Sequence, residues 1–479
     1  MNQTIVVGSG LAGLTSTLSL LQRNQKVILI EKTNKLGGNS IKASSGINGV
    51  PTSYQNNNGD TVEFFKQDSI NSGKGLSNPE LVSKLTSKSR SAIEWLTNDL
   101  GIDLSIVTQL GGHSYPRAHR GSGKLPPGFA IVSALIKKIE EYQPNVTILK
   151  QSKLIEILKS EKDNEVIGIK YTNELNETKT IYCNNLILAT GGFSADTENS
   201  SLISKYRPDL INFPSSNGQQ TTGDGIKIAE KDLNVKLIHM NKIQIHPTGF
   251  LNVGEPNLNW KILCGELMRG IGGILLNLKN GNRFINELET RDVVTDSILK
   301  NCKIDKESNE LGLVKDTYIS VLVISDKDYP KAHNHIDFYL SQDLLQKGNL
   351  NNLLNLMKKV NPKLSLLPED LKDIFNNINT IIKGDKQDPL GRKSFGNQFL
   401  DQLIYFGLTT PVLHYSMGGI EIVNNQRVLQ KNGKVFKNLY AIGEVSGGLH
   451  GENRLGGNSL LECVVFGREV SDHIVEDSV

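Results

Sequence analysis

Three glycines, Gly8, Gly10 and Gly13, stand between a short apolar run at 5–7 and an apolar helical pattern over 14–22, and no other feature limits the fold of this chain as strongly. Glycines at that spacing permit a tight turn, a close backbone approach to a pyrophosphate and close packing of helix on strand. The helix that follows offers free amides and the positive end of its dipole. A second apolar run at 27–30 ends in Glu31, where a carboxylate would bind ribose hydroxyls. Leu11 and Ala12, inside the turn, and Lys32, next to Glu31, fall on the same ligand-facing surface. Strand, turn, helix and strand make a βαβ unit, so an α/β fold built on a Rossmann-like sheet is expected.

At 479 residues the chain exceeds what one hydrophobic core normally organises, and two domains are expected. A hydrophobic fraction of 38% and a charged fraction of 22% describe a folded, soluble protein. The formal charge is only +3, and no block of Lys and Arg interleaved with aromatics would track a phosphate backbone, so nucleic acid is not an expected partner. The longest apolar runs fall far short of the roughly 20 residues that span a bilayer, and no membrane segment is expected. Residues 1–7 carry no charged region, apolar stretch or cleavage site of an export signal, which points to the cytoplasm. Cys183, Cys264, Cys302 and Cys463 are widely spaced without a C-x-x-C pair, and read as reduced, packed thiols rather than metal ligands.

Further along, short β-like runs at 146–149, 154–158, 166–171 and 180–182 suggest an antiparallel meander. Apolar runs at 186–189 and 439–442 end in Thr190-Gly191-Gly192 and Gly443-Glu444, and both look like late-arriving strands of the opening sheet. Between about 242 and 413 the pattern turns to helical and loop segments, including 344–360 and 371–382. The expected organisation is therefore a nucleotide-binding domain over 1–240 and 415–479 with an α+β capping, or substrate, domain inserted at 241–414.

Dinucleotides of nicotinamide and of flavin share the glycine fingerprint, and the residues after Glu31 separate them. The stretch Gly37-Gly38-Asn39-Ser40, followed by Ser45-Gly46-Ile47-Asn48, is too rich in Gly and Ser for an ordinary third strand and suits a loop folded around a flavin. With Thr190, Gly191, Gly192, Asp224, Gly443, Glu444, Ser459 and Leu460 added, the chain returns repeatedly to one extended ligand. FAD is the expected cofactor, one per chain.

Five clusters then carry candidate chemistry: His246-Pro247-Thr248-Gly249, Gly265-Glu266-Leu267-Met268-Arg269-Gly270, the run 281–292 ending in Thr290-Arg291-Asp292, His414-Tyr415-Ser416-Met417-Gly418-Gly419, and Asn453-Arg454-Leu455-Gly456-Gly457-Asn458-Ser459. In these clusters and their order the sequence resembles the soluble fumarate reductases and the flavoprotein domain of flavocytochrome c fumarate reductases, within the fumarate reductase/succinate dehydrogenase superfamily. The resemblance spans residues 5–468.

The resemblance implies that fumarate is reduced to succinate. His246, His414 and Arg454 would bind the substrate carboxylates, the flavin N5 would deliver hydride to one alkene carbon, and Arg291 would protonate the other. Glu266 and Arg269 would return the proton to Arg291. Chemistry agrees: a dianion needs several fixed cationic or N–H donors, and these also polarise the alkene. Arginine is a very weak acid, but protonating a carbanion-like centre is accessible to it when a carboxylate chain restores the proton.

Two departures from the family pattern stand out. Gly265 occupies a position where bacterial members carry a substrate-binding hydroxyl residue, and Asn39 the position where membrane-bound relatives attach FAD through histidine, so the flavin is expected to be noncovalent. Urocanate reductases differ at the first carboxylate ligand and ketosteroid dehydrogenases use tyrosines, so His246 favours fumarate. The same cationic pocket would serve a flavin-dependent oxidase or dehydrogenase of another small acid such as L-aspartate, which peroxide production would reveal. A catalytically silent FAD-binding protein is the remaining alternative, and it would be expected only if Arg291 or Arg454 were absent. The chain holds no C-x-x-C-H haem motif and no appended reductase module, so the electron donor is expected to be external, such as reduced free flavin.

Overall fold

A computed structural model of the chain describes residues 3–161, 164–198, 200–399 and 403–477. Its organising element is a six-stranded sheet in the order Arg427–Leu429, Val435–Ala441, Asn185–Leu188, Gln3–Val7, Lys26–Ile30, Val146–Leu149. All neighbours pair in parallel except the edge strand Arg427–Leu429. In register, Val7 faces Leu188 on one side and Ile30 on the other. The central strands Gln3–Val7 and Asn185–Leu188 are buried beyond their first residue, which is why their ends read as short apolar runs. The late strands thus enter the opening sheet as their sequence suggested.

Helices cover this sheet. Leu11–Leu21 is buried along its whole length and packs against Asn458–Glu476. A Cβ at Gly467 would lie 2.8 Å from the Cβ of Thr15, so glycine there is what lets the two helices approach.

The run 146–149 does not join the meander. It pairs in parallel with Lys26–Ile30 as the edge of the main sheet, and only Lys153–Lys159, Val166–Thr172 and Thr178–Tyr182 form the antiparallel three-stranded unit. A four-residue apolar run carries no signal of pairing direction. The helix Pro127–Glu140 before it decides the matter, because it forms the crossover that a parallel strand needs.

The segment expected to be helix and loop is built around a second sheet. Ile243–Phe250, Ile404–Ser416, Ser320–Ser325 and Ile274–Asn277 pair antiparallel in that order, and Gln346–Gly348 adds to the first residues of Ile404–Ser416. Ser320–Ser325 is buried at every position, so it shows no alternation by which a strand is recognised. Helix Pro368–Lys383 covers the expected 371–382, whereas of the expected 344–360 only Leu350–Val360 is helical and Gln346–Gly348 is the added strand.

Ile243 and Leu413 belong to the core of the first sheet, whereas Phe250 and Leu408 belong to those of the second. The paired strands Ile243–Phe250 and Ile404–Ser416 therefore carry the chain from one core to the other. No helix of the described residues is long and apolar enough to cross a membrane.

Candidate active site

A cavity of about 710 Å³ opens at the carboxyl ends of the parallel strands, where doubly wound sheets hold their ligands. Gly8, Glu31, Ala189 and Ile442 follow four of those strands directly, and all four line it, as do Thr190 and Gly443 one residue further on. Gly8 has φ +103°, and a Cβ at Gly13 would lie 1.9 Å from Gly8 O, so these two glycines make the turn and the helix contact. Gly10 answers to something else. The nearest atom to a Cβ there is Ser40 Oγ at 3.6 Å, and at Gly191 nothing lies within 4 Å, so both leave open space beside a cavity they line.

Two helices begin at this cavity without side-chain caps, Leu11–Leu21 after Gly10 and Asn458–Glu476 after Gly457. The first-turn amides beyond Leu11 N and the positive end of the dipole suit a pyrophosphate at the first of them. Ser40 Oγ accepts from Leu11 N at 3.0 Å, which draws the loop after Glu31 over the helix start. These features fit a dinucleotide.

Most of the sequence-derived cofactor residues line the cavity: Leu11, Ala12, Lys32, Gly38, Ser45 and Gly46, and also Asp224, Glu444, Ser459 and Leu460. Glu31 accepts from Ser9 N at 3.1 Å and Ser9 Oγ at 2.6 Å on one oxygen and from Thr33 N at 2.8 Å on the other, so it also braces the glycine turn. Lys32 Nζ pairs with Asp224 at 3.0 Å. Asn39 donates to Thr221 Oγ1 at 2.6 Å and accepts from Gly218 N at 3.0 Å. Four residues stand behind the wall, the first of them Gly13, which packs on Gly8 O. Gly37 N bonds Ser9 O at 3.0 Å, Asn48 Nδ2 holds Gly456 O and Asn458 Oδ1 at 2.7 Å each, and a Cβ at Gly192 would lie 2.0 Å from Ser416 Oγ.

The strands that join the two cores bring His246 and His414 together, their ring centroids 5.2 Å apart. His246 is fully buried; Nδ1 faces Thr248 N at 3.2 Å and Thr248 O at 3.1 Å, and Nε2 has no partner. His414 Nδ1 lies 2.8 Å from Ser216 Oγ, and His414 lines the cavity with Arg291 and Arg454. Arg291, at the start of helix Arg291–Asn301, donates Nε to Glu266 Oε2 at 2.7 Å and Nη1 to Gln244 Oε1 at 2.8 Å. The other Glu266 oxygen accepts from Gly111 N at 2.7 Å. A Cβ at Gly111 would lie 2.8 Å from that oxygen, so only glycine allows the bond in this position. Arg269 is buried, donates Nη1 to Glu287 O at 2.6 Å, and leaves Nε and Nη2 without partners.

Burial, with the Arg291 charge adding to it, holds both His246 and His414 well below the ordinary histidine range. They are neutral N–H donors rather than cations. Burial pushes Glu266 upward, but Arg291 and Arg269 outweigh it and bring the carboxyl down to about 2. Burial also lowers Arg454, to about 10. The corner thus collects positive charge with one ionised carboxylate against it, which is an anion site.

Sequence reading missed Gln244. Besides accepting from Arg291, it donates Nε2 to Asn453 Oδ1 at 2.7 Å and Arg454 O at 2.8 Å, tying two of the arginines together. Its place two residues before His246 in a strand-like run was the available signal. Asn217 was also missed, and it holds His414 O at 2.7 Å. Arg283, inside one of the conspicuous clusters, belongs to the scaffold: it pairs with Glu287 and Asp388, while Arg392 pairs with Glu287 and donates to Arg269 O at 3.0 Å.

A parallel sheet with an uncapped, glycine-bounded nucleotide cavity beside an arginine-rich corner defines an FAD-dependent oxidoreductase, and the chain belongs to the FAD binding domain family, which matches residues 3–460. It is 42% identical over 491 aligned residues to Fumarate reductase 1 of Saccharomyces cerevisiae, spanning 100% of this chain and 99% of that one. It is 37% identical to Fumarate reductase of Schizosaccharomyces pombe, spanning 97% of this chain and 88% of that one. Among solved structures it is similar to the open conformation of a flavocytochrome c3 fumarate reductase, with a TM-score of 0.76 and 29% identity, covering 100% of this chain and 78% of the other.

Proposed function

We propose that the chain reduces fumarate to succinate, using one noncovalently held FAD and electrons from an external donor such as reduced free flavin. The observation that carries the reading is the corner where His414, Arg454 and Arg291 line the cavity, with His246 packed behind His414 and Glu266 ion-paired to Arg291. The likeness to two fungal fumarate reductases over nearly the whole chain supports it. We also propose two domains, 1–240 with 415–479 and 241–414, with the reacting corner between them.

FAD held in this cavity and reduced by the external donor would supply the hydride chemistry for one alkene carbon. The chain's own residues do the rest. His246 through Nε2, His414, and Arg454 through its unpartnered edge hold the two carboxylates, and drawing negative charge toward themselves they leave the alkene electron-poor. Arg291 presents the proton for the second carbon. Glu266, ionised and fixed by Gly111 N, holds the Arg291 guanidinium in place and, after each turnover, takes a proton from the Arg269 side and passes it to Arg291, ending ionised again. Near the flavin, Asn39 offers no nucleophile for a covalent link, and its side chain is engaged with the 218–221 loop.

The test is anaerobic. The bound flavin is reduced with a limiting reductant, fumarate is added, and the flavin absorbance is followed. Rapid reoxidation with stoichiometric succinate is expected. A flavin that stays reduced in excess fumarate overturns the proposal.

A further inference from the structure

Among the described residues Arg454 shares with Arg269 the lack of a carboxylate partner for a buried guanidinium, but only Arg454 lines the cavity. Arg117, Arg283, Arg291 and Arg392 each pair with a carboxylate, whereas Arg454 has none: its Nε is unpartnered, and its Nη1 reaches only Leu455 O at 3.5 Å. What lies against it is a ring. The guanidinium carbon sits 4.4 Å from the centroid of Tyr415, and both residues line the cavity. Tyr415 is itself tethered, its hydroxyl donating to Glu462 Oε2 at 2.8 Å. The same carboxylate oxygen lies 2.8 Å from His450 Nε2, and the His450 ring meets the Tyr415 ring edge-on with centroids 5.5 Å apart. All four side chains are buried, with Glu462 1% exposed and Tyr415 6%. Glu462 and His450 do not line the cavity.

We propose that Tyr415, held by Glu462, is a positioning residue for Arg454: the ring fixes the guanidinium plane, and the carboxylate stands one ring away so that the arginine keeps its donors for a substrate carboxylate. The proposal rests on the reading of Arg454 as a ligand of the dicarboxylate.

The physical reasoning concerns competition. A buried guanidinium needs compensation for lost hydration, and an ion pair is the usual means. A carboxylate bonded directly to Arg454 would occupy the fork that the substrate must use, and each binding event would have to break it. An aromatic face compensates the charge without taking any N–H, because its negative quadrupole attracts the cation from above the plane. The hydrogen bond to Glu462 increases the electron density of that face and stops the ring from turning. Burial lowers Arg454 to about 10, with Tyr415 and Glu444 acting the other way, so the group stays charged at neutral pH.

The experiment uses the FAD-loaded full-length protein and fumarate as substrate, with KM, kcat and melting temperature measured for Tyr415→Phe, Tyr415→Leu, Glu462→Gln and Arg454→Ala. Tyr415→Leu removes the face and should raise KM by about tenfold or more, with a smaller change in kcat. Tyr415→Phe keeps the face but loses the tether, and Glu462→Gln weakens the tether; each should raise KM by roughly threefold. Combined with Arg454→Ala, Tyr415→Leu should add nothing further to KM, because the group it positions is gone. A merely structural tyrosine would lower the melting temperature of every variant while leaving KM as it was, and that result overturns the proposal. Full additivity in the double variant overturns it as well. If Tyr415→Leu does not yield folded protein, unchanged KM in both Tyr415→Phe and Glu462→Gln overturns it. Raised KM in Arg454→Ala beside unchanged KM in the other variants sinks this proposal alone, whereas unchanged KM in Arg454→Ala overturns the ligand reading beneath it.

Discussion

Arg291 Nε and Glu266 Oε2 lie 2.7 Å apart, both almost fully buried, at the end of a cavity that only the arginine lines. The carboxylate is brought down to about 2 by Arg291 and Arg269 against its burial, so it is ionised and holds the guanidinium in one orientation. A fixed donor with a charged group behind it is the arrangement on which the proposed chemistry depends.

Replacing Arg291 tests that arrangement most directly. Arg291→Ala removes the donor and its charge, and Arg291→Lys keeps the charge but loses the fork that meets Glu266 and Gln244 together. Fumarate reduction should fall by several orders of magnitude in the alanine variant, more than the roughly 10²–10⁴-fold of general acid catalysis alone, because electrostatic stabilisation goes with it. FAD content should be unchanged. Near-normal turnover of Arg291→Ala at saturating fumarate would remove Arg291 from the acid role.

Gln244 bonds Arg291 through its oxygen and Arg454 O through its nitrogen. Gln244→Leu leaves an Arg291 donor unmet in a buried place, at about 1–3 kcal/mol, so kcat/KM should drop roughly 10–100-fold while FAD stays bound. Steady-state kinetics checks this. Unaltered kinetics would mean that the arginines hold their places without it.

Heat or acid denaturation should release FAD into the supernatant, because the position best suited to a covalent link carries Asn39. Flavin absorbance remaining with the precipitate is the contrary outcome.

Glu31→Ala should weaken FAD retention and also loosen the glycine turn, since the same carboxylate takes bonds from Ser9 and Thr33. Loss of those buried bonds predicts roughly 1–3 kcal/mol lower stability of the FAD-free chain. Equilibrium dialysis and denaturant melts measure the two effects. Unchanged FAD affinity in a destabilised protein would make Glu31 a brace only.

Glu444 gives a pH signature. Burial pushes its carboxyl up to about 7, against the opposing bonds from Ser416 N and Oγ. Its folded value exceeds its unfolded value, so its contribution to stability is fully present below about pH 4.5 and is lost as pH rises through about 7. In FAD-free protein, Glu444→Gln should therefore be more stable than the parent at pH 8, by up to about 3 kcal/mol, with the difference shrinking toward pH 5. Thermal melts at both pH values decide it. A parent–variant difference that does not change with pH is the contrary result.

Local spacing was enough to reveal the opening βαβ unit, the return of two late strands to its sheet, and the glycine turn, because these depend on short-range sterics: a φ of +103° at Gly8 and a backbone contact at Gly13 admit nothing larger. The histidines and arginines of the corner were visible by residue type and local context. The second sheet was not, since strands such as Ser320–Ser325 are buried on both faces and lose the alternation that marks a strand. Pairing direction at Val146–Leu149 was equally hidden, because it is settled by the helix packed before it rather than by its own residues. Gln244 joining Arg291 to Arg454, Gly111 fixing Glu266, and Tyr415 between Arg454 and Glu462 are contacts across 47, 155 and 47 residues of chain at their shortest bonds. Residue type and chain position select which groups are able to do the chemistry. Which of them touch is decided only when two cores, joined by the strands that carry His246 and His414, close on one cavity and exclude the water that would otherwise satisfy every one of those groups separately.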